Sequence, residues 1–404
     1  MMNYLIVNRS IWAKAASAFL LAAALSSCAV SGPPSATSAV KLDAIDTTVA
    51  TAMAATGGRG IAVAVIDGGQ VVFSKAYGVK NAANEPLQTD TVMYGASLTK
   101  SAFGYMVMQL VDEGLFDLDR PISQYLPQPL PSYNSAADAR AYVPWVGLEG
   151  DERWRNITGR ILLTHSAGFT NFAFDEPDGK LRFHFDPGSR YAYSGAGILL
   201  LQFVLERGLG FDVGAEMNRR IFEPNKMTRT SLKWRADFRP NLADGFKADG
   251  TIVPHDERSR VRTAGSMDTT IDDIAQFAAS YVRGDKLSAK SRAEMVRPQL
   301  AINTLSQFHS LQAPQAIQPF PSLSAALGVV AFRGPQGAGF YKGGHNDSTG
   351  NTWVCVEASK RCVVILSNDV RMEPAFPQIV KGILGETGVP WKWEYGAMRF
   401  WVPE

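Results

Sequence analysis

SLTKSAFGYMVMQLVDEG, residues 97–114, carries two patterns at once. Phe103, Met106, Val107, Leu110 and Val111 recur at helical spacing as an apolar stripe, and Gly114 stops the run. At its start, Ser97 and Lys100 lie three residues apart and so share one helix face, which puts the lysine amine within reach of the serine hydroxyl. The first turn of such a helix also offers free backbone N–H groups and a positive dipole end, both suited to a developing oxyanion.

Outward from this helix the periodicity changes. Asp43–Ala55 reads as a helix carrying Ile45, Val49, Met53 and Ala54. Gly60–Ile66 and Val71–Gly78 read as strands around Asp67-Gly68-Gly69, a strong hairpin signal. Asp119–Trp154 is rich in proline and irregular, and Ile157–Thr164 and Gly195–Gly208 read as helices. Thr270–Val282 opens with Thr270 and Asp273, a capping-box variant, and carries Ile274, Phe277 and Tyr281. Strands return at Leu327–Phe332, Gly339–Gly343, Asn351–Val356 and Cys362–Asn368, before a last helix at Pro374–Leu384. Strands at both ends with helices between predict an α+β fold: an antiparallel sheet built from both ends of the chain and flanked by helices, with an inserted helical region at about residues 119–290. A site is expected in the cleft between the sheet and the helical region.

Composition narrows the class. The 404 residues are 46% hydrophobic, enough for a large core. A formal charge of +2 implies no nucleic-acid partner and no attraction to a membrane surface. No apolar run in the body approaches the roughly 20 residues that span a bilayer, and no repeat recurs at roughly 20–50 residues.

The N-terminus differs. Arg9 and Lys14 precede the apolar run Ala15–Leu25, followed by Ser26, Ser27 and Cys28, which reads as a secretory signal peptide over residues 1–27. Leu25-Ser26-Ser27-Cys28 also resembles a bacterial lipoprotein box, with Cys28 as the lipidated first residue; the alternative is an ordinary signal peptide with an incidental cysteine. Residues 28–42, small and proline-containing, then form a tether to a body at 43–385. These readings predict export to a bacterial cell envelope, with the membrane reached through a lipid anchor. The other cysteines, Cys355 and Cys362, flank a strand–turn–strand stretch whose turn at Ala358-Ser359 would set them opposite each other. An exported compartment permits the disulfide; two free buried thiols are the alternative.

A serine hydroxyl becomes a nucleophile only when a base takes its proton, and a lysine serves when burial and nearby positive charge lower its pKa. Ser38-Ala39-Val40-Lys41 has the same spacing but lies in the tether, where nothing can pre-organise it. The alternative for Ser97 is a helix-capping serine beside an exposed lysine. A second element is Tyr193-Ser194-Gly195 after Asp186-Pro187-Gly188; a phenol between two lysines can shuttle protons, whereas a lone core tyrosine needs only one hydrogen bond. A third is Lys342-Gly343-Gly344-His345 at a strand end, where two glycines allow close backbone approach and the His345 N–H could face that of Ser97. The bland alternative there is a strand-end turn with a solvated lysine.

In this order and spacing the three elements resemble the serine beta-lactamase-related superfamily: class C beta-lactamases, D-alanyl-D-alanine peptidases and related esterases. Ser97 and Lys100 match its serine–x–x–lysine motif, Tyr193 its tyrosine motif, and Lys342, Gly343 and Gly344 look like its lysine–threonine–glycine strand. Flanking stretches agree: Leu110–Gly114 with Leu118-Asp119 and Tyr125-Leu126-Pro127, Leu162–Gly168, and Ala264-Gly265-Ser266 through Asp273. The resemblance implies acyl transfer through Ser97, with Lys100 and Tyr193 as proton carriers and Lys342–His345 as oxyanion and substrate contacts, on a small-molecule or peptide substrate.

Two positions depart from the pattern. Gly195 stands where asparagine is frequent, and Gly343 where threonine is usual, so a hydroxyl contact to a substrate carboxylate is lost. Both changes favour an esterase or amidase over a beta-lactamase or D-alanyl-D-alanine carboxypeptidase; a catalytically silent scaffold of the same fold is the rival from outside enzymes. Gly95-Ala96-Ser97-Leu98-Thr99 lacks the last glycine of an alpha/beta-hydrolase nucleophile elbow. His165, in a helix-end pattern, is expected to be structural. No histidine pair has metal spacing, and no cofactor is called for. Residues 386–404 form an aromatic tail with Trp391, Trp393, Tyr395, Phe400 and Trp401, expected to pack on the body.

Overall fold

Gly68 and Gly69 both adopt positive φ, +58° and +77°, the backbone that a two-residue primed turn requires, so strands β1 (Gly60–Asp67) and β2 (Gln70–Gly78) close into the expected hairpin. The computed structural model describes residues 43–308 and 311–396. The signal peptide, the tether, Cys28, Phe400 and Trp401 lie outside the described residues. Further along the chain come β3 (Leu300–Ala301), β4 (Ser324–Ala325), β5 (Val330–Gly334), β6 (Gly337–His345), β7 (Gly350–Val356) and β8 (Arg361–Ser367). They form one antiparallel sheet in the order β2-β1-β8-β7-β6-β5-β4-β3, so the N-terminal hairpin joins the C-terminal strands through β1 and β8.

The centre of the sheet is covered on both faces, so β1, β7 and β8 read as near-continuous buried runs. Ala62, Ala64 and Ile66 of β1 share one core with Trp353 of β7 and Val364 of β8. Ile61, Val63 and Val65 alternate to the other, with Val354, Val363 and Ile365. The first core is closed by helices α2 (Thr99–Asp112), α3 (Gly195–Phe203) and α4 (Ile271–Arg283). Tyr281 of α4 packs on Trp353 and Phe340 at 4.9 and 5.0 Å between ring centroids. Its first turn is capped as the sequence predicts: Thr270 Oγ1 accepts from the Asp273 N–H at 3.1 Å. The second core is closed by α1 (Asp43–Thr56) and α5 (Phe376–Leu384), and also by Trp393 and Tyr395 of the short helix Trp391–Tyr395. The described part of the aromatic tail is therefore inside a core. Trp393 is fully buried and its indole N–H donates to Thr304 Oγ1 at 3.1 Å.

Cys355 and Cys362 face each other across β7 and β8 and are joined, with sulfurs 2.01 Å apart. The turn between them spans residues 357–360, about the predicted Ala358-Ser359. Helix α2 is buried well beyond its apolar stripe: every residue from Thr99 to Leu110 is buried, because the sheet lies on one side and the helical region on the other. Among the described residues no helix is long and apolar enough to cross a membrane.

Candidate active site

Ser97 sits on a single 3-10 turn, Ala96–Leu98, just ahead of α2. Ala96 holds φ at +46°, a left-handed conformation that costs an alanine about 1–2 kcal/mol and recurs beside functional groups. The kink leaves Ser97 half-buried at a cavity wall while α2 runs into the core. One helical turn on, Lys100 is 1% exposed, so it is not the solvated lysine of the bland alternative. Its Nζ donates to Ser97 Oγ at 3.0 Å and to the Ala264 carbonyl at 2.5 Å. Tyr193, two residues before α3, donates its phenol to the same Ser97 oxygen at 2.8 Å.

The phenol stands between two amines. Lys100 Nζ and Lys342 Nζ each lie 5.0 Å from the Tyr193 ring centroid, and Lys342 Nζ lies 3.5 Å from the phenol oxygen. Burial lowers the Lys100 pKa; Tyr193 opposes the shift and Lys342 adds to it. Burial pushes Lys342 down to about 8, against the pull of the Glu394 carboxylate. His165 is more than a helix end: its ring lies 4.4 Å from that of Tyr193. Burial, then Lys100 and Lys342, hold its pKa well below 6.5, and its Nδ1 accepts from the Ser194 N–H at 3.2 Å. A neutral imidazole therefore backs the phenol.

Lys342, Gly343, Gly344 and His345 end β6. Alternation along the strand sends Lys342 toward the phenol and Gly343 to the opposite face. A Cβ on Gly344 would lie 3.0 Å from the Ser97 and Leu98 nitrogens and from the Gly95 oxygen, so the strand meets the nucleophile's turn backbone to backbone. His345 contributes a ring as well as a backbone: Nδ1 lies 3.1 Å from Glu373 and the ring packs on Phe308 at 4.9 Å. Burial alone would lower its pKa, and the pairing with Glu373 raises it instead.

Both sequence departures are filled from elsewhere in the chain. A Cβ on Gly195 would meet the Phe172 ring at 2.8 Å and Asn171 Oδ1 at 3.2 Å, and the Gly195 N–H already donates to that oxygen at 2.8 Å. A Cβ on Gly343 would lie 1.9 Å from Glu394 Oε1. Glu394 is buried and accepts from Gln307 Nε2 at 2.7 Å, while its Oε1 has no hydrogen-bond partner among the described residues. The sequence reading missed Asn171, Phe172, Phe308, Ala264 and Glu394 as site residues; the misfit at Gly195 and Gly343 was the available signal that other side chains take that space. Ser97, Lys100, Tyr193, Asn171, Phe308 and His345 line a cavity of about 730 Å³, walled on one side by residues 256–260 and Arg262.

The α+β scaffold thus gathers a serine hydroxyl, a buried amine and a phenol around one cavity, the groups that acyl transfer through an activated serine requires. The family model described as Beta-lactamase matches residues 45–381, and the chain belongs to that family. A lovastatin esterase of Penicillium rubens is 29% identical over 44% of this chain and 49% of its own length. The D-alanyl-D-alanine-carboxypeptidase/endopeptidase AmpH of Escherichia coli is 36% identical over 30% of this chain and 37% of its own length. Matches to the curated relatives thus span about a third to three fifths of those proteins. Among solved structures, the octameric penicillin-binding protein homologue from Pyrococcus abyssi shares the fold with a TM-score of 0.67 at 19% identity, over 87% of this chain and 79% of its own. The D-alanine carboxypeptidase AmpC from Burkholderia cenocepacia gives 0.64 at 17% identity, over 84% and 98%.

Proposed function

We propose that the protein cleaves an ester or amide bond through an acyl-enzyme on Ser97. One observation carries the reading: Ser97 Oγ is held at once by a buried amine at 3.0 Å and a phenol at 2.8 Å. Ser97 Oγ attacks the substrate carbonyl, and its proton passes to the amine of Lys100, whose burial favours the unprotonated form. The carbonyl carbon–leaving group bond breaks, and the leaving group takes a proton through Tyr193. Backbone N–H groups of Ser97 and His345 hold the oxyanion, and Lys342 supplies positive field. Water, deprotonated by the same base, then frees the acyl group and restores the serine. We further propose that the chain is exported to the cell envelope and anchored through Cys28.

The test is a p-nitrophenyl ester panel and a fluorescent penicillin, each followed by intact-mass measurement. Ester turnover with an acyl adduct on Ser97 supports an esterase. A lasting penicillin adduct redirects the reading to cell-wall peptides, an outcome the AmpH similarity keeps in play. Ser97→Ala is expected to abolish turnover and leave the fold intact. Full activity in that variant removes the assignment, and silence of the wild type toward both substrate classes leaves a narrow amidase or a silent scaffold, which a wider amide screen separates.

A further inference from the structure

One stretch of the cavity wall, residues 256–260 with Arg262, is dense in charge. Most of that charge is neutralised. Arg258 donates to the buried Asp268 carboxylate at 2.9 Å and lies 3.6 Å from the Tyr94 ring centroid. Asp256 stands 3.6 Å from Arg258, and Glu257 pairs with Arg239 at 2.6 Å. Arg260 and Arg262 are different: among the described residues neither meets a carboxylate. Arg260 donates to the Arg140 carbonyl at 2.6 Å and Arg262 to the Tyr142 carbonyl at 3.4 Å. Those contacts leave most of the five N–H donors on each guanidinium unused. Arg262 is also partly buried beside the like charge of Arg260, and burial first, then Arg260, lower its pKa.

The other cations of the site do not offer an equivalent charge. Lys100 is engaged by Ser97 and Ala264. Lys342 is buried and already faces the negative charge of Glu394. The uncompensated positive charge of the cavity is thus concentrated at Arg260 and Arg262.

We propose that Arg260 and Arg262 form an anion subsite that selects esters or amides carrying a carboxylate remote from the bond cleaved. Two guanidiniums in a concave wall focus positive potential into the cavity. Their planar donor forks match a carboxylate in a bidentate pair. A bound anion would also relieve the cost of holding Arg262 half-buried without a counter-charge. The subsite deepens the hydrolase reading above and rests on it for a kinetic readout.

The test pairs p-nitrophenyl hydrogen glutarate with p-nitrophenyl pentanoate, esters of equal chain length that differ in a terminal carboxylate. The wild type is expected to favour the carboxylate ester in kcat/KM by at least about tenfold. In the Arg260→Gln/Arg262→Gln variant that ratio falls toward unity, and Arg262→Lys retains part of it. Added salt lowers the ratio in the wild type and not in the double variant. A wild-type ratio of one or less, or an unchanged ratio in a folded double variant, overturns the subsite. Calorimetry with glutarate on Ser97→Ala gives a reading that needs no turnover. Binding that disappears when both arginines become glutamine supports the subsite even where neither ester is cleaved, and in that case only the hydrolase reading fails. Absence of glutarate binding in a folded Ser97→Ala protein overturns the subsite whatever the kinetics show.

Discussion

Tyr193 bonds the nucleophile and stands between the amines of Lys100 and Lys342, so its hydroxyl is the most informative single atom to remove. Tyr193→Phe keeps the ring against His165 and between the two amines but deletes the bond to Ser97. kcat/KM is expected to fall about 10²–10⁴-fold with little change in melting temperature. Lys342 makes a separate prediction. Its pKa of about 8 in the fold lies below the ordinary 10.5, so above pH 8 the site loses a positive charge and kcat/KM declines. Stability moves the other way. Between about 8 and 10.5 the unfolded chain holds the proton that the folded chain has released, so this contribution to stability rises with pH. Loss of activity without unfolding over that window, and its absence in Lys342→Met, checks the assignment by rate–pH profiles alongside urea melts. Ser97, Lys100, Tyr193 and Lys342 were legible in the sequence because each sits in a short local pattern. Asn171, Glu394 and Arg262 were not, since only tertiary packing brings Asn171 and Arg262 to the cavity and Glu394 to Gly343.

At the scale of elements, local signals were informative wherever one local interaction decides the outcome. The Asp67-Gly68-Gly69 turn and the Thr270 cap formed where the sequence placed them, because each is fixed within four residues. The strands β3 and β4 and the helix Trp391–Tyr395 escaped notice, since two-residue pairings and a five-residue helix carry no period of their own. That helix matters most at Gly343, where its Glu394 occupies the volume a side chain would need. Gly343→Thr, which restores the residue usual in related proteins, should therefore destabilise rather than repair. Overpacking of this kind costs about 1–3 kcal/mol. Glu394→Ala removes the obstacle but leaves the Gln307 amide without its acceptor at 2.7 Å. The double variant Gly343→Thr/Glu394→Ala should then lose less stability than the two single losses added together. Urea denaturation of all four proteins measures that coupling, and strict additivity would show that the two positions do not compete for space.

Over the whole molecule, the sheet closes the chain on itself: β1 from the N-terminal side pairs with β8 from the C-terminal side, and two cores lie on opposite faces. That both ends share one antiparallel sheet was readable from the distribution of strands, and that the aromatic tail packs on the body from its composition, but the strand order and the core the tail enters were not. The strand order depends on pairings of residues about 300 positions apart, such as Ala64 with Val364. This architecture separates two ways of weakening the protein. The Cys355–Cys362 disulfide staples β7 to β8 within the sheet. Replacing both cysteines with alanine is expected to cost about 2–3 kcal/mol, the value for a short closed loop, and to leave kcat unchanged. Trp393 instead fills the second core and sits next to Glu394, while its carbonyl accepts from the Gln307 N–H at 2.8 Å. Gln307 is followed by Phe308, a wall of the cavity that packs on both Tyr193 and His345. Trp393→Ala should therefore cost about 3–5 kcal/mol and also lower kcat/KM at temperatures where the protein is still folded. Thermal melts and ester kinetics on the two variants distinguish the cases. If Trp393→Ala lost stability alone, the C-terminal helix would be a plug in the core with no part in shaping the cavity.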